Sequence, residues 1–341
     1  MDLALSDRQR AMQRELRAEL GRGSAGGGTS GVPIALATNT LTDLVVVAEE
    51  LGRAAVPSPF HNSAVQSGFV LRAIDDEQHL DSLHRGERRY ACCITEPDGS
   101  VRLDSITTRA VRDGDAWVST GTKCFVPHAA TADVLLVVAR SDIGLRVFAV
   151  DASAPRIAIT ALPTLGLDQQ CAITFDSVHV GLDDALGHAG DATAGIEQAT
   201  ARSLIVLCAD AVGAAAAALD HTVERVKTRE QWNVPIGSFQ AVQHRCADML
   251  IDVTTARDAV YDAAGIVDRG GDALLAASQA KAFVIDACRR VSAAAHQLNG
   301  GLGFYADQPV HRWYRRIKAA EPVFGTPDYH RARVAAALLD P

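Results

Sequence analysis

Residues 229–240 read Arg-Glu-Gln-Trp-Asn-Val-Pro-Ile-Gly-Ser-Phe-Gln and separate two long stretches that have helical periodicity. Apolar residues recur at steps of three and four over residues 200–228 and again over residues 238–269. The first stretch also contains a run of alanines, which permits close approach of neighbouring helices. The pattern predicts two long amphipathic helices joined by the quoted segment.

The same periodicity continues to the C-terminus and predicts a helix bundle. A third long helix ends at Gly300-Gly301, because glycine readily takes the backbone conformation of a helix C-cap. Thr326 is placed to cap the last helix, and Pro327 to occupy its first turn. Residues 183–341 are therefore predicted to form a C-terminal four-helix bundle. The predicted helices cover residues 200–228, 238–269, 272–298, 309–318 and 327–339.

A change in the residue pattern between residues 89 and 182 predicts a middle β domain. Short runs rich in Val, Ile, Thr and Phe alternate with polar residues and are separated by turn signals. The clearest hairpin joins Thr107–Val111 to Ala116–Thr120, with Gly114 supplying the positive φ that a tight turn requires. The spacing predicts a compact antiparallel barrel or sandwich. Further strands are predicted at Val134–Ala139, Leu145–Val150 and Ala172–Phe175.

The N-terminal part, residues 1–88, is predicted to be a small helical domain, which makes the whole chain an α+β protein. Ser6 and Gln9 have the spacing of a capping box at the start of a first helix over residues 6–20. Residues 21–33 are rich in Gly and Ser, a composition typical of a flexible loop or linker. Two further helices are predicted at residues 40–54 and 61–75.

Composition and charge exclude several classes of protein. The chain has 341 residues and a net charge of −8, with no concentration of basic residues that would bind nucleic acid. No apolar run reaches the length of a membrane span and the N-terminus has no hydrophobic signal core, so we expect a cytoplasmic protein. The seven cysteines include no Cys-x-x-Cys pair and are expected to be reduced. His244 and Cys246 lie on different helix faces, so no metal site is expected.

Short motifs are distributed over nearly the whole chain. The most specific are Arg229–Ile236 followed by Phe239-Gln240, and Gln297 followed by Gly300–Phe304. The others are Leu5–Arg10, Ala48–Gly52, Ile94–Ser100, Phe175–Val180, Ala247–Met249, Arg312, Tyr314-Arg315 and Gly325-Thr326. In type, order and spacing, this set resembles the acyl-CoA dehydrogenase family of flavoproteins, whose members have a helical domain, a β domain and a four-helix bundle.

The resemblance implies a noncovalent FAD and the α,β-dehydrogenation of an acyl-CoA thioester, in which a carboxylate removes the α proton. The family commonly places this base directly before Gly-Thr, where this chain has Phe324, and some members place it on the first bundle helix, where it has Ala201. Neither side chain can accept a proton, so no catalytic residue is expected at either position. Glu321 and Asp328 lie nearby as alternative bases, although carboxylates are more commonly solvated or ion-paired.

The residues that the resemblance assigns to FAD are partly lost and partly retained. Phe125–His128 stands where the family usually has Trp-Ile-Thr-Asn, so the hydroxyl near the flavin ring is missing and Pro127 has no N–H. The polar and aromatic contacts to the ADP part are retained. The family places each FAD across a subunit interface, with its ADP part held largely by the neighbouring subunit. The retained cofactor residues are Arg229, Trp232, Gln240, Gln297, Gly300, Gly301 and Thr326.

This division resembles the base-lacking subunit of a heteromeric FAD-dependent acyl-CoA dehydrogenase, as in the heterotetramers of actinobacterial members of the family. The Gly-rich segment 21–33 stands where the family has another helix, so the resemblance also implies a shortened N-terminal domain. The chain would complete the FAD site of a paralogous partner that carries the catalytic glutamate, and it would be inactive alone. The substrate would be an acyl-CoA, with a steroid side-chain thioester as one candidate, and an electron-transfer flavoprotein is a further candidate partner. Two alternatives stay open: a homomeric flavoenzyme of altered chemistry, such as an oxidase or monooxygenase, and a non-catalytic scaffold subunit.

Overall fold

The structure is a computed structural model that describes residues 5–23, 40–187 and 190–339. Helices come first, a β domain follows, and long helices complete the chain, which confirms the predicted α+β architecture. The helices are α1 (Asp7–Gly23), α2 (Leu41–Ala54), a π-helix (Phe60–Ser67), α3 (Gly68–Ala73), α4 (Glu77–His84), α5 (Thr193–Thr228), α6 (Gln240–Asp268), α7 (Ala273–Asn299), α8 (Val310–Ala320) and α9 (Pro327–Leu339). The strands are β1 (Tyr90–Cys93), β2 (Arg109–Asp113), β3 (Ala116–Pro127), β4 (Val134–Ser141), β5 (Gly144–Asp151), β6 (Ile157–Leu162), β7 (Gln170–Gly181), β8 (Ala185–Leu186), β9 (Glu230–Gln231) and β10 (Val234–Pro235).

The N-terminal helices begin as the sequence predicts. The Ser6 N–H donates to Gln9 Oε1 at 3.0 Å and the Gln9 N–H donates to Ser6 Oγ at 3.2 Å, which confirms the capping box. α1 continues to Gly23, so the first residues of the predicted 21–33 loop are helical instead. The rest of that segment lies outside the described residues. α4 was not predicted, because it buries a single residue, Leu83, and so has no apolar periodicity to read.

The β domain is an eight-stranded sheet in the order β6-β7-β3-β2-β4-β5-β8, with β1 beside β4. The predicted hairpin is confirmed: β2 and β3 pair antiparallel from Arg109 opposite Thr120 to Asp113 opposite Ala116, and Gly114 has a φ of 58°. Most strand pairs are antiparallel, as predicted, but β4 also pairs in parallel with β2 at one residue pair and with β1 along the four residues of that strand. The β2–β3 hairpin lies between β1 and β4 in sequence, so the connection is long enough for the chain to return in the same direction.

The predicted C-terminal helices are confirmed, with α5 starting earlier than expected, at Thr193. Gly300 caps α7 with a φ of 61°. Thr326 Oγ1 accepts a hydrogen bond from the Tyr329 N–H at 3.3 Å and so caps α9. α7 packs against α5, α6, α8 and α9, which makes this part a helix bundle.

α5 is the central helix, and α2, α6, α7 and α8 pack against it. Its crossing with α2 brings the two backbones into contact. A Cβ atom at Gly52 would lie 1.9 Å from the Asp210 carbonyl oxygen, and one at Gly213 would lie 1.8 Å from the Glu49 carbonyl oxygen. Only glycine fits at these two positions, because no side-chain atom can approach a carbonyl so closely.

α5 corrects the expectation that no apolar run in the chain reaches the length of a membrane span. It is the one helix among the described residues that is long and apolar enough to cross a membrane by length and composition. However, 83% of its most apolar window is buried inside the protein, as in the core helix of a globular fold. The apolar character of α5 is therefore used for packing within the bundle.

Candidate active site and cofactor residues

A cavity of about 410 Å³ lies between the β domain and the bundle. One wall is the face of α5 from Thr193 to Leu204, and the opposite wall is the loop from Ile94 to Ile106. α7 and the residues around the start of α9 complete the lining. Ala201 and Phe324, the two positions at which the family resemblance expects a base, both line this cavity. The structure therefore brings together two positions that are far apart in sequence.

Phe324 is held in the left-handed region of backbone conformation, with a φ of 58°. Lys281 Nζ donates to the carbonyl oxygens of Ala320 and Val323 at 2.7 and 3.0 Å. His330 Nε2 lies 2.9 Å from the Phe324 carbonyl oxygen and therefore carries the proton in this contact. Strain of this kind persists only where surrounding contacts over-determine it. Two buried side chains thus fix the turn that presents Phe324 to the cavity.

Burial also changes the protonation of these two side chains. It lowers the pKa of Lys281 to about 8 and the pKa of His330 to about 4. His330 is therefore neutral at pH 7, and its Nδ1 lies 3.2 Å from Ser278 Oγ, whose hydroxyl also donates to the Leu274 carbonyl oxygen at 2.8 Å. The imidazole acts as a structural link between α9, α7 and the Phe324 turn.

The acidic residues near the cavity differ in whether they line it and whether they have a partner. Glu321 accepts a hydrogen bond from Lys318 Nζ at 2.6 Å, and the exposed Asp328 pairs with Arg331. Neither of these alternative bases lines the cavity. Glu197 does line it, and its carboxylate has no partner among the described residues. The sequence analysis missed Glu197, although its position one helical turn before Ala201 on α5 was a usable signal.

The Thr95-Glu96-Pro97 part of the cavity wall is anchored by a buried ion pair. Lys123 Nζ lies 2.9 Å from Glu96 Oε1 and is completely buried. Glu96 also accepts hydrogen bonds from the backbone and hydroxyl of Thr107 and from the backbone of Thr108. Burial raises the pKa of Glu96, but these hydrogen bonds and Lys123 outweigh it and lower the pKa to about 2. Glu96 is therefore a charged structural anchor for the loop.

The segment at the expected flavin-ring position has an unusual backbone. Phe125 and His128 have φ values of 57° and 56°, and the Phe125 side chain is 53% exposed. His128 Nε2 lies 3.1 Å from Asp168 Oδ1, a contact that the sequence did not indicate. Pro127 and Asp168 line a second cavity of about 110 Å³, together with His61. The segment offers no hydroxyl group of its own toward a flavin ring.

Three of the predicted cofactor residues lie where α5 leads into α6, and Gln240 is the first residue of α6. β9 and β10 pair there, and the two residues between them, Trp232 and Asn233, have φ values of 57° and 60°. This turn leaves the Trp232 ring 88% exposed. Arg229 and Gln240 flank the turn, are also exposed, and have no side-chain partner among the described residues.

The other four predicted cofactor residues lie in two further places. Gln297, Gly300 and Gly301 are exposed at the C-terminal end of α7, and Gln297 lines a surface groove of about 570 Å³ between α6 and α7. Thr326 is exposed beside the Phe324 turn, where its hydroxyl caps α9. No atom lies within 4 Å of a Cβ atom placed at Gly300 or Gly301, so their backbones are open to a ligand.

These exposed residues fit the ADP part of FAD. A free guanidinium can bind phosphate, an exposed indole can stack on adenine, and open glycine backbone allows close approach. The flavin-ring side fits less well, because Phe125–His128 provides an exposed ring, a proline without N–H and a histidine already in contact with Asp168. Among the described residues, no group of three or more His, Cys, Asp or Glu side chains is placed to hold a metal ion.

The sequence matches two family models, described as "Acyl-CoA dehydrogenase, middle domain" over residues 91–178 and "Acyl-CoA dehydrogenase, C-terminal domain" over residues 195–339. The chain belongs to the acyl-CoA dehydrogenase family. This confirms the resemblance seen in its motifs. An acyl-CoA dehydrogenase is an oxidoreductase, and members of the family bind FAD.

Individual relatives agree with this assignment. The chain is 30% identical over 312 residues to the 3-(aryl)acrylate reductase of Clostridium sporogenes, covering 86% of this chain and 82% of that one. Its fold matches glutaryl-CoA dehydrogenase from Mycobacterium smegmatis with a TM-score of 0.90 at 22% identity, over 99% and 96% of the two chains. It also matches a chain of the ChsE4-ChsE5 complex from Mycobacterium tuberculosis with a TM-score of 0.85 at 24% identity, over the whole of both chains. The chain therefore has the complete acyl-CoA dehydrogenase fold.

Proposed function

We propose that this chain is the base-lacking subunit of a heteromeric FAD-dependent acyl-CoA dehydrogenase. The observation that carries the proposal is the pair Ala201 and Phe324, which face one cavity without a carboxylate at either position. A paralogous partner would supply the catalytic glutamate. In this proposal the chain has three domains, at residues 1–88, 89–182 and 183–341.

The exposed residues at the ends of α5 and α7 have a defined role in this proposal. FAD, when bound, supplies the acceptor for the hydride that leaves the β carbon of the substrate. The Arg229 guanidinium would neutralise phosphate charge, the Trp232 ring would stack on adenine, and the Gln297 amide would hydrogen-bond the ADP part. These residues would act on the FAD whose ring lies in the partner. The chain would thus complete a site without performing the proton transfer itself.

The remaining parts of the proposal concern partners and substrate. The ChsE4-ChsE5 structure is a complex of two such chains, which supports a heteromeric assembly here. The substrate would be an acyl-CoA, with a steroid side-chain CoA ester as the candidate that the sequence resemblance suggests. We also propose a cytoplasmic location and an electron-transfer flavoprotein as the electron acceptor.

Co-expression with a glutamate-bearing paralogue tests the proposal. We expect the chain purified alone to contain no flavin and to have no dehydrogenase turnover, and we expect both to appear in the co-purified complex. R229A and Q297A should lower the flavin content of that complex, whereas a scaffold subunit would leave it unchanged. A yellow, active protein made of this chain alone would contradict the proposal.

Glu197 favours a second candidate, a homomeric flavoenzyme of altered chemistry such as an oxidase or monooxygenase. Its unpaired carboxylate is the one acidic group that α5 presents to the cavity among the described residues. Such an enzyme would contain one FAD per chain without a partner, and its reduced flavin would be reoxidised by oxygen. Absorbance of the isolated chain under air decides between the two candidates.

A further inference from the structure

Two cavities lie end to end along α5. The 410 Å³ cavity, called here the outer cavity, is lined by the α5 face that ends at Leu204. The 110 Å³ cavity, called here the inner cavity, is lined by Leu207 and Asp210 on the next turn of the same helix. Since α5 rises about 1.5 Å per residue, Leu204 and Leu207 lie about 5 Å apart along its axis. The two cavities are therefore neighbours along α5.

The side chains of Phe324 and His61 separate these two cavities. Phe324 lines the outer cavity and His61 lines the inner one. Their ring centroids lie 5.8 Å apart, with an angle of 38° between the ring planes. The neighbour of Phe324 in sequence, Val323, lines the inner cavity. The boundary between the two cavities therefore passes through this aromatic contact.

Both sides of the partition are fixed in place. His61 Nε2 lies 2.9 Å from the Ser203 carbonyl oxygen, which anchors its ring to α5. The Phe324 carbonyl is held by His330, and the turn before it by Lys281. Moving the Phe324 backbone would break hydrogen bonds from the buried Lys281 and His330 side chains, and a buried donor left unpaired costs free energy. The partition is thus a rigid wall and not a mobile lid.

The inner cavity could receive an apolar group if the wall were absent. Its charged groups already have partners: Arg316 is paired with both carboxylate oxygens of Asp210, and Asp168 with His128. The other lining side chains include apolar ones on several elements, which would contact hydrocarbon. These are Ala48, Leu51, Phe60, Leu167, Leu207, Ala319, Ala320 and Val323.

We propose that Phe324 is a specificity-determining residue that, together with His61, closes this chain's own cavity against the far end of an acyl group. The residue that replaces the family's base therefore also limits how deep a thioester can enter. This inference uses the proposed function only in taking an acyl-CoA as the ligand.

Replacing Phe324 by glycine tests this closure directly. Glycine adopts a φ near 58° without strain, so F324G removes the ring and keeps the turn. Isothermal titration of the full chain with butyryl-CoA and octanoyl-CoA measures how much four extra acyl carbons increase the binding affinity. We expect little gain in wild type and roughly tenfold tighter binding of octanoyl-CoA in F324G, from about two more buried CH₂ groups.

Matched variants make the result decisive. F324Y keeps an aromatic ring and should behave as wild type, and F283A removes an exposed ring on α7 and should also have no effect. F324N, a second small residue that tolerates positive φ, replaces F324G if that variant fails to unfold cooperatively. The proposal is wrong if F324G or F324N favours octanoyl-CoA over butyryl-CoA no more than wild type does. Because no flavin is involved, this result is independent of the co-expression test of the proposed function.

Discussion

His330 Nε2 lies 2.9 Å from the carbonyl oxygen of Phe324, so a neutral imidazole orients the residue that stands where the family has its base. The same ring contacts Ser278 on α7. A group held in this way must stay uncharged, because burial disfavours the imidazolium. The geometry of the cavity wall is therefore coupled to pH.

The first prediction concerns that coupling. The folded pKa of His330 is about 4, below the unfolded value of about 6.5. The unfolded chain therefore binds the proton more readily, and stability falls as pH decreases from about 6.5 to 4. After allowance for solvent screening, we expect a loss of about 2 kcal/mol over that range. The free energy of unfolding, measured with urea at several pH values, should depend less steeply on pH in H330Q than in wild type. Equal slopes in the two proteins would contradict this prediction.

Lys281 should be essential for the Phe324 turn. K281M leaves the carbonyl oxygens of Ala320 and Val323 without their donor, and Ala320 is buried. We expect a loss of about 2–4 kcal/mol in the free energy of unfolding. K318M is the matched control, since Lys318 forms a partly exposed pair with Glu321 and should contribute less than about 1 kcal/mol.

The buried pair Lys123–Glu96 should show strong coupling. K123M leaves an unpaired carboxylate in the interior and should cost about 3–5 kcal/mol, whereas the double variant E96Q/K123M should cost less than the two single losses added together. A double-mutant cycle measured by denaturant unfolding checks this. Additive single losses would mean that the two side chains act independently.

The crossing of α2 and α5 predicts a steric effect. G213A places a methyl group against the Glu49 carbonyl oxygen and should lower the thermal midpoint strongly or prevent folding. G21A is the control: Gly21 is helical in α1, and no atom lies within 4 Å of its Cβ position. That substitution should be neutral or stabilising by up to about 1 kcal/mol, because alanine favours a helix more than glycine does.

Trp232 should matter for the cofactor and not for folding. Its ring is 88% exposed, so W232A should leave the unfolding midpoint of the isolated chain unchanged. In the co-expressed complex it should weaken FAD binding about tenfold, the loss expected for one aromatic stacking contact. Leu250, an exposed apolar residue on α6, provides the control variant L250A. Unchanged flavin retention in W232A would remove Trp232 from the cofactor residues.

The sequence predicted those features that depend on local patterns. Apolar periodicity located the long helices, Thr326 was recognised as a cap, and Gly114 marked the hairpin turn; all three are confirmed. The parallel neighbour of β4 and the strand β6 were missed. Pairing partners depend on contacts between distant segments, which local alternation does not encode.

The candidate site was predicted only in part, for a similar reason. Ala201 and Phe324 were recognised through motif position, and the structure places both at one cavity. Lys281 and Lys123 were missed because each contacts a turn or loop far away in sequence. His330 was missed although it lies only six residues after Phe324, because its contact with the Phe324 carbonyl follows from the shape of the turn between them. His61 and Asp168 were missed because isolated polar residues carry no signal until the fold brings their partners close. The assignment of Arg229, Trp232 and the other cofactor residues stays a prediction.

The glycine contact between α2 and α5 sets a lower limit on how far the N-terminal domain can be shortened. Because Gly52 and Gly213 allow carbonyl groups to meet the opposite backbone, no side chain separates the two helices at this crossing, and removing either one would expose the main chain of the other there. A variant lacking α2 would lose the surface on which α5 rests. Any shorter form of the chain must therefore lose residues outside α2 and α5.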